Sequence, residues 1–143
     1  VAPLTDREVN WRHPQLSNTI GILLRHVAGS ERHWIIQVVG GRTVPRDRDA
    51  EFGRDPVSKE RVVADLRAAH ADARAVLGSL TAADLVREVK ITFRGLPRTL
   101  PAGWAVLHSL EHTSYHLGQI QLFKKLAQGD PETAGGGRIA RGD

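Results

Sequence analysis

The sequence predicts one all-α domain, a bundle of long helices with a crossover connection, on three observations. Two long segments repeat apolar residues every three or four positions, the spacing of a helix with one buried face, and a third is apolar almost all round. The links between these segments are longer than the roughly 2–8 residues that join simple antiparallel neighbours. Only one brief stretch alternates apolar and polar residues as a strand does. The 143 residues are enough for a single buried core. Residues 1–128 are expected to form that domain, and 129–143, rich in glycine and polar residues, a flexible tail.

Taken in order, 1–15 has prolines at Pro3 and Pro14 and reads as irregular. Ser17 or Asn18 is expected to cap a helix running to about Val39. Leu16, Ile20, Leu23, Leu24, Val27, Trp34, Ile35 and Val38 form its apolar stripe, and Gly40-Gly41 stops it. The polar run 42–54 reads as a loop. Asp55-Pro56 then resembles a cap and a first-turn proline opening a helix to about Leu80, striped by Val62, Val63, Leu66, Ala69, Ala73, Val76 and Leu77. Thr81 with Asp84 has the spacing of a capping box, predicting a short helix over 82–87. Val89, Ile91 and Phe93 alternate with Lys90 and Thr92, a short strand ended by Gly95 and Pro97. Pro101 suits the first turn of the last helix, which extends to about Ala127 and is apolar almost all round, so a central and buried position is expected.

The first long link allows the helices it joins to run parallel across a bundle end. Three long helices leave part of an all-round apolar helix uncovered. A helix preceding Val1 or a second subunit would fill that place, and a homodimer is the expectation.

Composition narrows the function. The chain has no cysteine, so disulfides, thiolate ligands and cysteine nucleophiles are excluded. Such a composition suits a reducing compartment, and the expected location is the cytoplasm. No apolar run reaches the ~18 residues that span a bilayer. The net charge of +4 is mostly arginine, scattered from Arg7 to Arg141 with acids between, as in Arg46-Asp47-Arg48-Asp49. A dense basic block with interleaved aromatics is missing, so nucleic acid is not an expected partner.

The seven histidines are the most informative residues. His108, His112 and His116 follow one another at four-residue spacing on the last helix. Each step drifts by only about 40° around the axis, so the three share a face. A pair at i and i+4 can grip one metal ion. All three would span about 12 Å of rise, too far for one ion, so a further ligand is expected from another helix. His26 lies on the flank of the first helix's stripe, and His33 one heptad beyond it. The competing role is that of packed, hydrogen-bonded core histidines. His13, before Pro14, and His70, on a solvated face, read as ordinary.

The run Ser17-Asn18-Thr19-Ile20-Gly21-Ile22-Leu23-Leu24-Arg25-His26-Val27-Ala28-Gly29-Ser30-Glu31-Arg32-His33-Trp34-Ile35 resembles the second helix of the DinB-like (YfiT-like) superfamily. Glu111-His112-Thr113-Ser114-Tyr115-His116-Leu117-Gly118-Gln119-Ile120 is similar to that family's His-x-x-x-His-x-Gly-Gln signature, and 46–52 resembles the loop after its second helix in one branch. The resemblance spans most of residues 4–126. It implies a four-helix bundle in up-down-down-up order, whose first helix is short or missing in this chain. It implies a three-histidine metal site of His26, His112 and His116, with His108 at a position often histidine in relatives but usually not a ligand.

Three imidazoles on one side of an ion leave coordination positions open, which distinguishes catalytic from structural sites. Zinc or nickel is the expected metal, with iron and manganese also compatible with the ligands. Relatives include transferases and isomerases that use low-molecular-weight thiols such as bacillithiol or mycothiol, so the resemblance implies a metal-dependent thiol S-transferase with a small-molecule thiol partner. The alternatives are a non-catalytic metal-binding or stress-associated dimeric bundle, and a bundle that has lost the metal. His33, His108, Tyr115 and Gln119 are candidates for supporting or substrate contacts. No general base stands out: Glu31 and Glu111 are near in sequence, but neither points squarely to the ligand face.

Overall fold

The computed structural model describes residues 3–93 and 95–130. In chain order these form α1 (Asp6–Asn10), α2 (Ile20–Glu31) continued by a π-helical segment (Arg32–Val39), α3 (Arg48–Glu51), α4 (Lys59–Gly78), α5 (Ala82–Val86), β1 (Glu88–Phe93), β2 (Leu96–Pro101) and α6 (Ala102–Gly129). The molecule is mostly helical, with one antiparallel hairpin. The expected tail from 129 onward lies outside the described residues, apart from Gly129, which closes α6, and Asp130.

Side-chain capping accounts for most helix starts. Thr19, not Ser17 or Asn18, caps α2, its hydroxyl accepting from Ile22 N at 3.1 Å. Ser58, not Asp55, caps α4. Thr81 and Asp84 do form a capping box on α5. A second capping box, Thr5 with Glu8, opens α1 within the stretch expected to be irregular. Asn10 then ties α1 to the chain ahead of α4. Its side-chain amide donates to Val57 O and accepts from Val57 N, both at 2.8 Å, so it pairs like a short strand.

The alternating stretch pairs with a strand that the sequence does not announce. Glu88↔Pro101 through Phe93↔Leu96 are in register. Gly95 turns the chain with φ 77°, a left-handed backbone that glycine adopts without cost. Pro97 and Pro101 sit in β2 because a two-stranded ribbon leaves their missing N–H groups facing away from the ladder.

Two core clusters set the directions of the long helices. At one end Leu4, Val9, Ile20, Leu23 and Leu24 pack with Val62 of α4 and with Ile120 and Phe123 of α6. At the other, Trp34, Ile35 and Val39 pack with Ala73 and Val76 of α4 and Ala105 of α6. The start of α2 thus meets the start of α4 and the end of α6. α2 and α4 run parallel and α6 runs antiparallel to them, as the long first link allows. Among the described residues there are three long helices, not four.

α6 is less buried than its composition suggests. Leu107, Leu110, Leu117 and Leu122 are 54–67% exposed, while Ala105, Ile120, Phe123 and Ala127 face the core. The reason is geometric: α2 lies between α4 and α6. An apolar groove of about 600 Å³ separates α4 from α6, with Val27 and Ile35 of the α2 unit in its floor and Leu66, Leu77, Val106 and Leu110 on its walls. No helix among the described residues is long and apolar enough to cross a membrane.

Leu23 is fully buried, whereas Val86 is 73% exposed at the end of α5. Leu23→Ala is expected to lower the unfolding free energy by about 2–5 kcal/mol. Val86→Ala should stay within about 0.5 kcal/mol of the parent. Urea titration of the two variants measures both values.

Candidate metal centre

The antiparallel pairing of α2 with α6 brings His26 opposite the four-residue ladder of histidines. His26 and His116 are buried and His112 is half-buried. One ligand atom from each of the three lies within 4.8 Å of the other two. Nε2 of His112 stands 3.0 Å from Nε2 of His26 and 3.2 Å from Nε2 of His116. Three nitrogens around a tetrahedral zinc ion with ~2.0–2.1 Å bonds lie about 3.3 Å apart, so the cluster already has nearly the spacing a small divalent ion requires.

The outer ring nitrogens decide what the inner ones present. Nδ1 of His26 lies 2.8 Å from Oε2 of Glu51. A carboxylate only accepts, so this Nδ1 carries the proton and donates, leaving a lone pair on Nε2 of the neutral ring. Nδ1 of His116 donates to Oε1 of Gln119 at 2.7 Å, with the same consequence. Gln119 is held in that orientation because its amide nitrogen donates to the Tyr115 hydroxyl at 3.2 Å. Two lone pairs therefore face one nitrogen of His112, which can offer at most a single proton. The buried Nδ1 of His112 has no hydrogen-bond partner. A cation between the rings would satisfy all three inner nitrogens at once, so the donor set fits a divalent ion.

The surroundings oppose protonation of His112 and His116. Burial, followed by the neighbouring imidazoles His116, His26 and His108 and the Arg46 charge, pushes His112 down to about 4. Burial also lowers His116, against the bond to Gln119, which favours its charged form. Glu51, only 8% exposed, behaves oppositely. Burial pushes its carboxyl up, but hydrogen bonds from His26 and Arg46 and the Arg46 charge outweigh this and hold it below the usual carboxylate range. Arg46 grips both carboxylate oxygens, Nε to Oε1 at 2.6 Å and Nη2 to Oε2 at 2.9 Å.

The other residues singled out in the sequence take different places. Gln119 and Tyr115 adjoin His116, the Tyr115 ring 5.2 Å away and largely exposed. His108 is stacked on Trp104 at 5.0 Å, lies 4.7 Å from Trp34 and 5.2 Å from Phe93, and is 6.1 Å from His112. It belongs to an aromatic wall beside the cluster. The His33 ring packs edge-on against Trp34 at 4.9 Å. His70 is exposed and bonds Glu31 at 3.2 Å, outside the cluster. His13 stays in its turn, accepting from Gln15 N.

Sequence reasoning missed Glu51, since 42–54 reads as a structureless charged loop. The available signals were Asp47, spaced to cap a turn, and Phe52, a lone aromatic in a polar run. Asp47 does cap α3 at Ala50 N, and the Phe52 ring lies 4.6 Å from that of His26.

The low value for His112 has a sign that can be checked in the metal-free protein. Unfolding restores the ring to about 6.5, so the unfolded chain binds the proton first. Stability from this group is complete above about 6.5 and is lost as pH falls towards 4. Urea midpoints measured in chelator should drop over that window, and His112→Gln should flatten the drop.

No curated protein and no solved structure matches the chain. Residues 1–120 match the family model of the DinB superfamily, which covers well over half of the sequence and includes His26, His112 and His116. The chain belongs to the DinB superfamily.

Proposed function

We propose that this protein binds one divalent metal ion through Nε2 of His26, His112 and His116 and uses it to activate a low-molecular-weight thiol for transfer to an electrophile. The observation that supports this reading is the count of ligands. Three nitrogens from two helices converge, and no fourth His, Cys, Asp or Glu joins the group among the described residues. A closed structural zinc site has four protein ligands, whereas a catalytic one keeps a position for a small molecule. The chemistry such an ion supplies when bound is Lewis acidity at that position, which favours the thiolate form of a thiol at neutral pH. Zinc or nickel suits three neutral imidazoles.

The chain's own residues have distinct parts in this reading. Glu51 and Gln119 accept the outer protons of His26 and His116 and so keep the inner nitrogens available. The Tyr115 hydroxyl, exposed beside Gln119, is the polar group best placed to contact a substrate at the rim. The cluster of Trp34, Phe93, Trp104 and His108, packed mostly edge to face, offers an apolar boundary beside His112. Among the described residues no carboxylate is free at the histidine cluster to act as a base, since Glu51 is engaged by His26 and Arg46. The proton that a thiol would give up on binding the ion would pass to solvent water.

Elemental analysis of protein purified without chelator is expected to give one equivalent of metal. His116→Ala should abolish it and His70→Ala should retain it; equal metal in both variants would overturn the site. Loss of thiol from solution, measured with an electrophile panel, distinguishes the transferase from a binding module that holds the metal without turnover.

We further propose that the chain self-associates through the exposed apolar face of α6, where Leu107, Leu110 and Leu117 are more than half exposed. Sedimentation equilibrium should report a dimer, and a monodisperse monomer would count against it.

A further inference from the structure

The segment between α2 and α4 bears on the ligand His26 at several points. Glu51 Oε2 takes the ring proton from Nδ1 at 2.8 Å. Phe52 packs against the ring at 4.6 Å with the two planes tilted by 45°, and the Arg48 guanidinium lies 5.1 Å above Phe52. Arg46 clamps both oxygens of Glu51. Arg25, one residue before His26, anchors the far end by donating to Gly53 O at 2.6 Å. Gly29 stands one turn beyond His26 on α2. A Cβ at Gly29 would overlap Glu51 Oε1, with Glu51 Cδ only 2.7 Å away. The carboxylate therefore occupies the space where any other residue's side chain would begin.

We propose that Arg46–Phe52 is a strap that fixes the His26 ring and its tautomer before metal arrives. Glu51 is the positioning residue, Arg46 its clamp, and the bare helix surface at Gly29 its seat. This deepens the metal-binding reading and rests on it for the effect on affinity, but its first consequence needs no metal. A ring free to exchange its proton between Nδ1 and Nε2 presents a lone pair to the cluster only part of the time. A ring whose Nδ1–H is held by a clamped carboxylate presents it throughout, the arrangement by which outer partners orient metal-bound histidines.

Gly29→Ala separates this role from a merely structural one. Alanine gains helix propensity over glycine but displaces a buried, paired carboxylate at a cost in stability, so the ring tautomer and not the melting temperature is the deciding readout. Zinc affinity, measured by chelator competition with zinc ion alone, should fall 10–100-fold for Gly29→Ala and for Glu51→Ala. The double variant should lose no more than the worse single one, because both act through the same bond. Nitrogen-15 shifts of the His26 ring in metal-free protein should show the Nδ1–H tautomer in the parent and a mixture in both variants. Arg46→Ala provides the same readout if Glu51→Ala does not fold. An unchanged tautomer in Gly29→Ala, or parental zinc affinity in the variants, would overturn the strap. A parent that takes no zinc yet shows the tautomer shift would overturn the metal reading and leave the strap standing.

Discussion

Everything at the centre of this molecule depends on three imidazole nitrogens facing one another at 3.0 and 3.2 Å inside a helical scaffold. A single proton on His112 can bridge only one of the two neighbouring lone pairs, and burial removes the water that would serve the other. The arrangement persists because each ring is held from outside: His26 by Glu51, His116 by Gln119, and His112 by its position four residues before His116 on a stiff helix. The scaffold is thus built around a demand for positive charge that its own side chains do not meet.

That demand explains the electrostatics nearby. Arg46 is the cation closest in effect, but it is spent on Glu51, forming a buried pair whose carboxylate in turn faces His26. The positive charge is relayed through a hydrogen bond and not placed on the cluster. Burial opposes protonation of His112 and His116, with His112 pushed down to about 4 by burial and by its neighbours. Neutral rings are the form that binds a metal, so burial, which opposes protonation, favours coordination in the same stroke.

The layout of the helices follows from α2 being shared. It carries His26, forms the floor between α4 and α6, and contributes to both core clusters. Its last eight residues widen to π-helical turns, with Gly40 N bonding Ile35 O five residues back. Trp34 in this segment joins Phe93 from the hairpin and Trp104 and His108 from α6. The hairpin therefore packs its tip residue against the same aromatic wall that borders the histidines, and the short β-elements are tied to the site as well as to the core.

Local chemistry was legible in the sequence: the periodicity of α2 and α4, the apolar run of α6, the Thr81–Asp84 cap, the strand at Val89–Phe93 and the shared face of His108, His112 and His116. Each depends on residues within a few positions of one another, where helix and strand geometry alone sets the outcome. The parallel run of α2 and α4 was also legible, because link length limits how helices can be joined. Other features required the folded chain. Leu107, Leu110 and Leu117 read as buried, yet stand exposed because α2 separates α4 from α6. β2 was hidden by its prolines, which only an unpaired strand edge tolerates. Glu51 looked like one more charge in a polar loop. Its role depends on the vacancy at Gly29, the grip of Arg46 and the position of His26, three contacts made across the fold, and no spacing along the chain encodes where such partners meet.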